Sequence, residues 1–269
     1  MSLNVHHHYY DRKENARSKL ARKIQEYVFG YPSCIGSFVD TLVVPEIYDI
    51  GIRKESISVK RNQLQIKLEG LDKFGLEDKT FVYMVSEPLN DELDSPMKID
   101  DAIVLFRNLA KGLKILHDNQ IYHNLINPNA VIGSKESPKL VNFFDIGRIE
   151  LGWTIQTNPS PEKYAEWVFL APEQIKEEVR KWGDLADVYS LGATLYYTIT
   201  GKPLIDPREI DILKIITKIV NNDVEIDFPD ELENDARSKK LITVVKSSIE
   251  KDLKKRINLD GFISGLDSL

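Results

Sequence analysis

Residues Asp187–Thr200 are apolar nearly all the way round a helix. Val188, Leu191, Leu195 and Ile199 form one line, with Tyr189, Ala193 and Tyr196 between them. A helix without a polar face is buried on every side. Gly201 and Pro203 end it. The chain has 269 residues, which is comfortable for one domain of two lobes. Its 42% hydrophobic and 29% charged residues argue against global disorder.

The rest of the chain divides by periodicity. Ala16, Leu20, Ile24 and Val28 fall every four residues, one stripe of an amphipathic helix that Gly30 and Pro32 stop. Thr41–Ile52, Ser56–Leu68 and Thr80–Val85 read as β-rich, with Arg61-Asn62 turning between two strands of the second segment. Asp94–Ile99 reads as a connection. From Asp100 the pattern is mainly helical. Ile103, Phe106, Ala110, Leu113 and Leu116 mark one face of a long helix, and further helices are expected near Ile210–Val220, Ser238–Lys251 and Asp260–Leu266. Ala130–Ile132 and Lys139–Asn142 are short strand candidates. The expected fold class is α+β: a small β-rich N-lobe over residues 1–89 and a larger helical C-lobe over 90–269, together one domain hinged near Ser86–Leu89.

Charge and composition exclude several function classes. The net charge is -6 and the pI is near 5.5, so nothing global points to nucleic acid. Residues 1–89 carry 13 Lys and Arg against 12 Asp and Glu, whereas residues 90–269 carry 23 against 30. Asp11–Val28 holds six basic and three acidic residues, which is either a solvated helix face or a site for an acidic partner. No apolar run reaches the roughly 18–20 residues of a membrane helix, and Met1–Tyr10 is not expected to be a signal peptide. The one cysteine, Cys34, forbids an internal disulfide and reads as a small buried residue. A cytoplasmic location is expected.

Five segments carry a resemblance. They are Ile121–Pro128 (IYHNLINP), Lys139–Phe144 (KLVNFF), Ala171–Ile175 (APEQI), Asp187–Gly192 (DVYSLG) and Ile249–Arg256 (IEKDLKKR). Each is weak alone. In this order and spacing they resemble the eukaryotic-type protein kinase fold, in the style of bacterial Ser/Thr kinases, over Val44–Leu266 and most firmly from Asp100 onward.

The resemblance implies a catalytic loop of the form His-Arg-Asp-Leu-Lys-Pro-x-Asn at His123–Ala130. His123 and Pro128 match. Asn124 stands at the Arg position, Leu125 at the proton-accepting Asp, Asn127 at the phosphate-facing Lys and Ala130 at the magnesium-binding Asn. A one-residue shift brings Asn129 near the metal position, but no shift restores the Asp. Asn142-Phe143-Phe144 replaces Asp-Phe-Gly; a rival alignment uses Asp145-Ile146-Gly147 and keeps Asp145 as the one weak cofactor-binding candidate. No glycine precedes Gly30, so no Gly-rich phosphate loop precedes the first helix. Val5–Tyr10 is read as the remnant of the third strand, with a His at the Lys position, and Glu26 as the helix Glu without an evident Lys partner. Either the first strands lie outside this sequence or they have been lost, so the N-lobe is read as truncated.

The structural positions match instead. The resemblance implies that Glu173 pairs with Arg256, that Asp187 begins the buried helix and receives backbone N–H groups from the loop around His123, and that His123 is a packed loop histidine. The implied function is a pseudokinase: no intact catalytic residue, no metal, no Mg-ATP, and a signalling or scaffold role through protein partners. Its candidate surfaces are the Asp11–Val28 helix, the segment Asn142–Phe169 and the inter-lobe groove; no nucleic acid or membrane is expected as partner. Two alternatives stay open: a weak or unconventional nucleotide-dependent Ser/Thr phosphotransferase using Asp145, and a metal-independent nucleotide-binding switch. His6–His8 is either a metal-binding run or an exposed tail. Thr154, Thr157 and Ser160 are either phosphorylation sites or a plain polar loop.

Overall fold

The structure is a computed structural model that describes residues 47–53, 65–70, 81–86, 93, 95–118, 122–141, 166–175, 183–207, 212–221, 224 and 226–269. These fall into two compact units, 47–86 and 93–269. The first contains strands β1 (Ile47–Arg53), β2 (Gln65–Gly70) and β3 (Phe81–Ser86). They form an antiparallel sheet in the order β1-β3-β2, with Ile50 opposite Met84 and Leu68 opposite Tyr83. The expected turn at Arg61-Asn62 lies outside the described residues.

In the second unit, α1 (Ile99–Asp118) carries Asp100 and Asp101 in its first turn, where carboxylates complement the helix dipole. Its buried stripe includes Ile103, Phe106, Ala110, Leu113 and Leu116. A single 3-10 turn, Pro128–Ala130, leads into a two-stranded antiparallel sheet of β4 (Val131–Gly133) and β5 (Pro138–Leu140). The turn between them is fastened to α1: Asn108 Nδ2 donates to Lys135 O at 3.0 Å, and Lys135 pairs with Asp101. That carboxylate raises the Lys135 ammonium above its ordinary value by hydrogen bonding to it.

The remaining elements are α2 (Pro172–Ile175), α3 (Asp184–Thr200), α4 (Ile212–Asn221), α5 (Asp230–Asn234), α6 (Ala236–Ser248) and α7 (Leu259–Asp267). The all-round apolar helix is α3, packed against α1, α6 and α7. Two of its interior hydroxyls are satisfied within the helix, Thr194 Oγ1 donating to Ser190 O at 2.7 Å and Thr198 Oγ1 to Thr194 O at 2.8 Å, whereas Ser190 Oγ donates to Phe169 O at 2.9 Å. Gly201 ends it in the left-handed region, φ 72°, and returns its N–H to Tyr197 O. Two details differ from the sequence expectation. The helix begins at Asp184, so Asp187 lies in its first turn rather than at its start, because Asp184–Ala186 precede the continuous apolar run that marks the helix in the sequence. The helices α2 and α5 were not anticipated; at four and five residues they are too short to show a periodicity.

Close packing of α3 on α6 depends on Gly192. A Cβ there would lie 2.5 Å from Ser248 Cβ, on a buried residue of α6. Gly192→Ala should therefore push the two helices apart and destabilise by about 1–3 kcal/mol. A urea midpoint equal to that of the parent chain would disprove this tight contact.

The start of α6 is set by Asp235, whose carboxylate accepts from Ser238 N–H at 2.8 Å and from Ser238 Oγ at 3.0 Å. These bonds to Ser238 lower the Asp235 carboxyl below its ordinary 3.8. A depressed folded value contributes stability that is complete above 3.8 and is lost as the pH falls through the folded value. Asp235→Ala should thus lower the melting temperature at neutral pH, and the gap should narrow in melts well below pH 3.8.

Candidate functional site

Asp187 is wholly buried and organises the loop that precedes β4. Its Oδ2 accepts from the His123 backbone N–H at 2.8 Å and its Oδ1 from the Asn124 N–H at 2.6 Å. A third partner is His117 at the end of α1, with Nε2 2.8 Å from Oδ2. A carboxylate with several donors can remain buried where an unpaired one could not. The His117 ring also packs on Tyr122, centroids 5.2 Å apart.

The His123 side chain is fully engaged in the loop. Its Nδ1 accepts from the Leu125 N–H at 3.3 Å, and its Nε2 lies 2.8 Å from Val141 O. An accepting Nδ1 leaves Nε2 as the N–H that donates to the carbonyl. Asn124 adopts φ 60°, a left-handed conformation that Asn tolerates better than most residues. Its carbonyl accepts from Gln174 Nε2 at 2.7 Å, while Gln174 Oε1 accepts from the Ala171 N–H at 2.9 Å. Gln174 thereby ties the segment Ala171–Ile175 to the loop. Asn127 is also committed locally: Oδ1 accepts from the Asn129 N–H at 2.9 Å and Nδ2 donates to Leu125 O at 3.0 Å. It caps the 3-10 turn that ends at Ala130, which has no exposed surface.

Glu173 and Arg256 meet in a buried fork. Arg256 Nη1 donates to Glu173 Oε1 at 2.6 Å and Nη2 to Oε2 at 3.1 Å. Nη1 also reaches Leu185 O at 2.9 Å, and Nε reaches Glu250 O at 2.7 Å. The guanidinium carbon stands 5.1 Å from the centroid of the Tyr189 ring, a cation–π distance. Burial pushes the Tyr189 phenol above its ordinary value, against the opposing charge of Arg256. One guanidinium thus joins α2, the first turn of α3 and the segment after α6.

The protein kinase domain family matches residues 73–264. The chain belongs to that family. Serine/threonine-protein kinase ATG1a of Arabidopsis thaliana is 30% identical over 146 residues, covering 51% of this chain and 21% of that protein. Mitogen-activated protein kinase kinase kinase 5 of Homo sapiens is 33% identical over 112 residues, 40% of this chain and 8% of that protein. Serine/threonine-protein kinase GIN4 of Saccharomyces cerevisiae is 26% identical over 231 residues, 82% of this chain and 20% of that protein. The chain spans at most 21% of these relatives. The kinase fold is α+β, with a small β unit before a larger helical one.

In this kinase domain the loop positions that serve magnesium and phosphate elsewhere in the family do not fit them. Leu125 and Ala130 offer no side-chain donor or acceptor, and each polar atom of the Asn127 amide already makes a hydrogen bond within the loop. Among the described residues, no three His, Cys, Asp or Glu side chains gather as a metal site. Nor is any described helix long and apolar enough to cross a membrane. Asn142, Asp145, Glu26, Cys34, His6–His8, the basic segment Asp11–Val28, Thr154, Thr157 and Ser160 lie outside the described residues. Sequence reasoning missed His117 and Gln174. Their partners lie 70 and 50 positions away, and neither position belongs to a periodic pattern.

Proposed function

We propose that this kinase domain does not transfer phosphate and acts by binding a protein partner, as a pseudokinase in the cytoplasm. The observation that carries this reading is Leu125 at the position of the proton-accepting Asp, in a loop whose supports are in place. His123, Asn124 and Asp187 hold the loop in shape, yet the side chain presented at its centre has no acid or base chemistry. Asn127 and Ala130 support the same reading, since neither supplies the charge or ligand that the triphosphate and its metal require. Fold alone does not assign activity, so the reading rests on these side chains.

Thermal shift with ATP, with and without magnesium, tests it. A ligand at a hundredfold excess over its Kd stabilises the folded state by about 2.7 kcal/mol, a rise of roughly 5–10 °C in a domain of this size. No rise in either condition is expected. A rise only with magnesium would favour a phosphotransferase, and a rise without magnesium would favour a nucleotide-binding switch.

A further inference from the structure

Two surfaces of opposite sign adjoin on the helical unit. Residues 223–235 hold seven Asp and Glu with no Lys or Arg, whereas residues 236–255 hold seven Lys and Arg with two acids. Asp227, Asp230 and Glu233 are exposed, and so are Lys239, Lys240 and Lys246. Lys239 and Lys246 share the face of α6 opposite its buried Leu241, Val244, Val245 and Ser248, and Lys240 lies on the flank of that face. None of these six side chains enters an ion pair among the described residues. Arg237 is different: it is paired with Asp100 at 2.5 Å. Because α5 packs beside α6, the acidic and basic surfaces are neighbours.

We propose that this bipolar surface is where the chain meets a second copy of itself. A two-fold axis between adjacent patches of opposite sign lays each on its complement, and the same contact is made twice. A uniform polyanion fits poorly, because it would meet the carboxylates beside the lysines on a chain of net charge -6. The partner required is one that alternates in sign over the same distance, which an identical chain does by construction. Exposed ion pairs each contribute little and are screened by salt, so the association is weak and reversible. This inference is independent of how the catalytic loop is read.

Sedimentation velocity on the full 269-residue chain tests it. At about 0.01 M salt, where the screening length is about 30 Å, the mean mass should rise above 30.8 kDa with concentration; at about 1 M it should return to the monomer. The triple change Lys239→Glu, Lys240→Glu and Lys246→Glu should abolish association, as should Asp227→Lys, Asp230→Lys and Glu233→Lys. Asp235 is left in place because it caps α6. Mixing the two variants should restore the dimer, since each then carries the sign the other lacks. Melts followed by circular dichroism establish that both variants fold, and the neutral Lys→Gln changes at the same positions should also give monomer. A monomeric parent chain at low salt, a dimer that survives high salt or either charge reversal, or a mixture that stays monomeric would each overturn the proposal. So would a monomer that binds phosphatidylserine vesicles in a lysine-dependent way, which would mark a membrane-facing surface instead.

Discussion

Glu173→Ala is expected to cost about 3–5 kcal/mol, and Arg256→Ala at least as much. Both side chains are buried, at 3% and 5% exposure, so neither loss is relieved by water. Removing Glu173 leaves the guanidinium with the carbonyls of Leu185 and Glu250, which hold part of its charge. Removing Arg256 leaves a carboxylate without its fork and takes the donor from both carbonyls, which makes it the worse change. A loss of this size is a large part of a domain's total stability. The double variant should lose far less than the two singles together, because the stranded charge is gone. Arg256→Lys should not rescue, since one ammonium cannot span two carboxylate oxygens and two carbonyls from different segments. Urea titration of the four chains of the cycle measures the coupling directly; additive losses would mean that the two groups do not act as a unit.

That pair separates what was legible in the sequence from what was not. The buried helix could be read from Val188, Leu191, Leu195 and Ile199, because burial on all sides leaves no polar residue period. The long stripe of α1 was legible for the complementary reason, one apolar face at helical spacing. The Glu173–Arg256 contact has no such local signal across 83 positions and was visible only through the resemblance of both flanking segments to kinases. His117 had neither aid, and Gln174, though inside the Ala171–Ile175 segment, had no signal that marked its contact. Each is a polar residue whose purpose is a single distant partner, Asp187 in one case and the Asn124 carbonyl in the other. The loop substitutions lie at the opposite extreme. Leu125 and Ala130 are read directly from the chain, and the structure adds what their neighbour Asn127 does: its amide builds the turn.

Incubation with radiolabelled ATP, magnesium or manganese, and a general protein substrate is expected to give no incorporation above background. A positioned general acid or base contributes about 10²–10⁴-fold, and Leu125 has no such group. The metal position adds a second loss, since Ala130 supplies no ligand, and each decade corresponds to about 1.4 kcal/mol of barrier. Family members turn over at roughly 1–100 s⁻¹, so the combined losses place this chain below ordinary detection. Leu125→Asp alone should remain inactive. The returned carboxylate would face a site where Ala130 is fully enclosed, leaving no room for a metal-binding amide without moving its neighbours. Asn127→Lys would restore a charge but remove both hydrogen bonds that shape the turn. On the proposed reading, activity is expected only after the loop is rebuilt, not after one residue is replaced. Label incorporated by the parent chain and lost in Asp145→Ala would overturn the proposal, because it would place a working carboxylate outside the loop that holds Leu125.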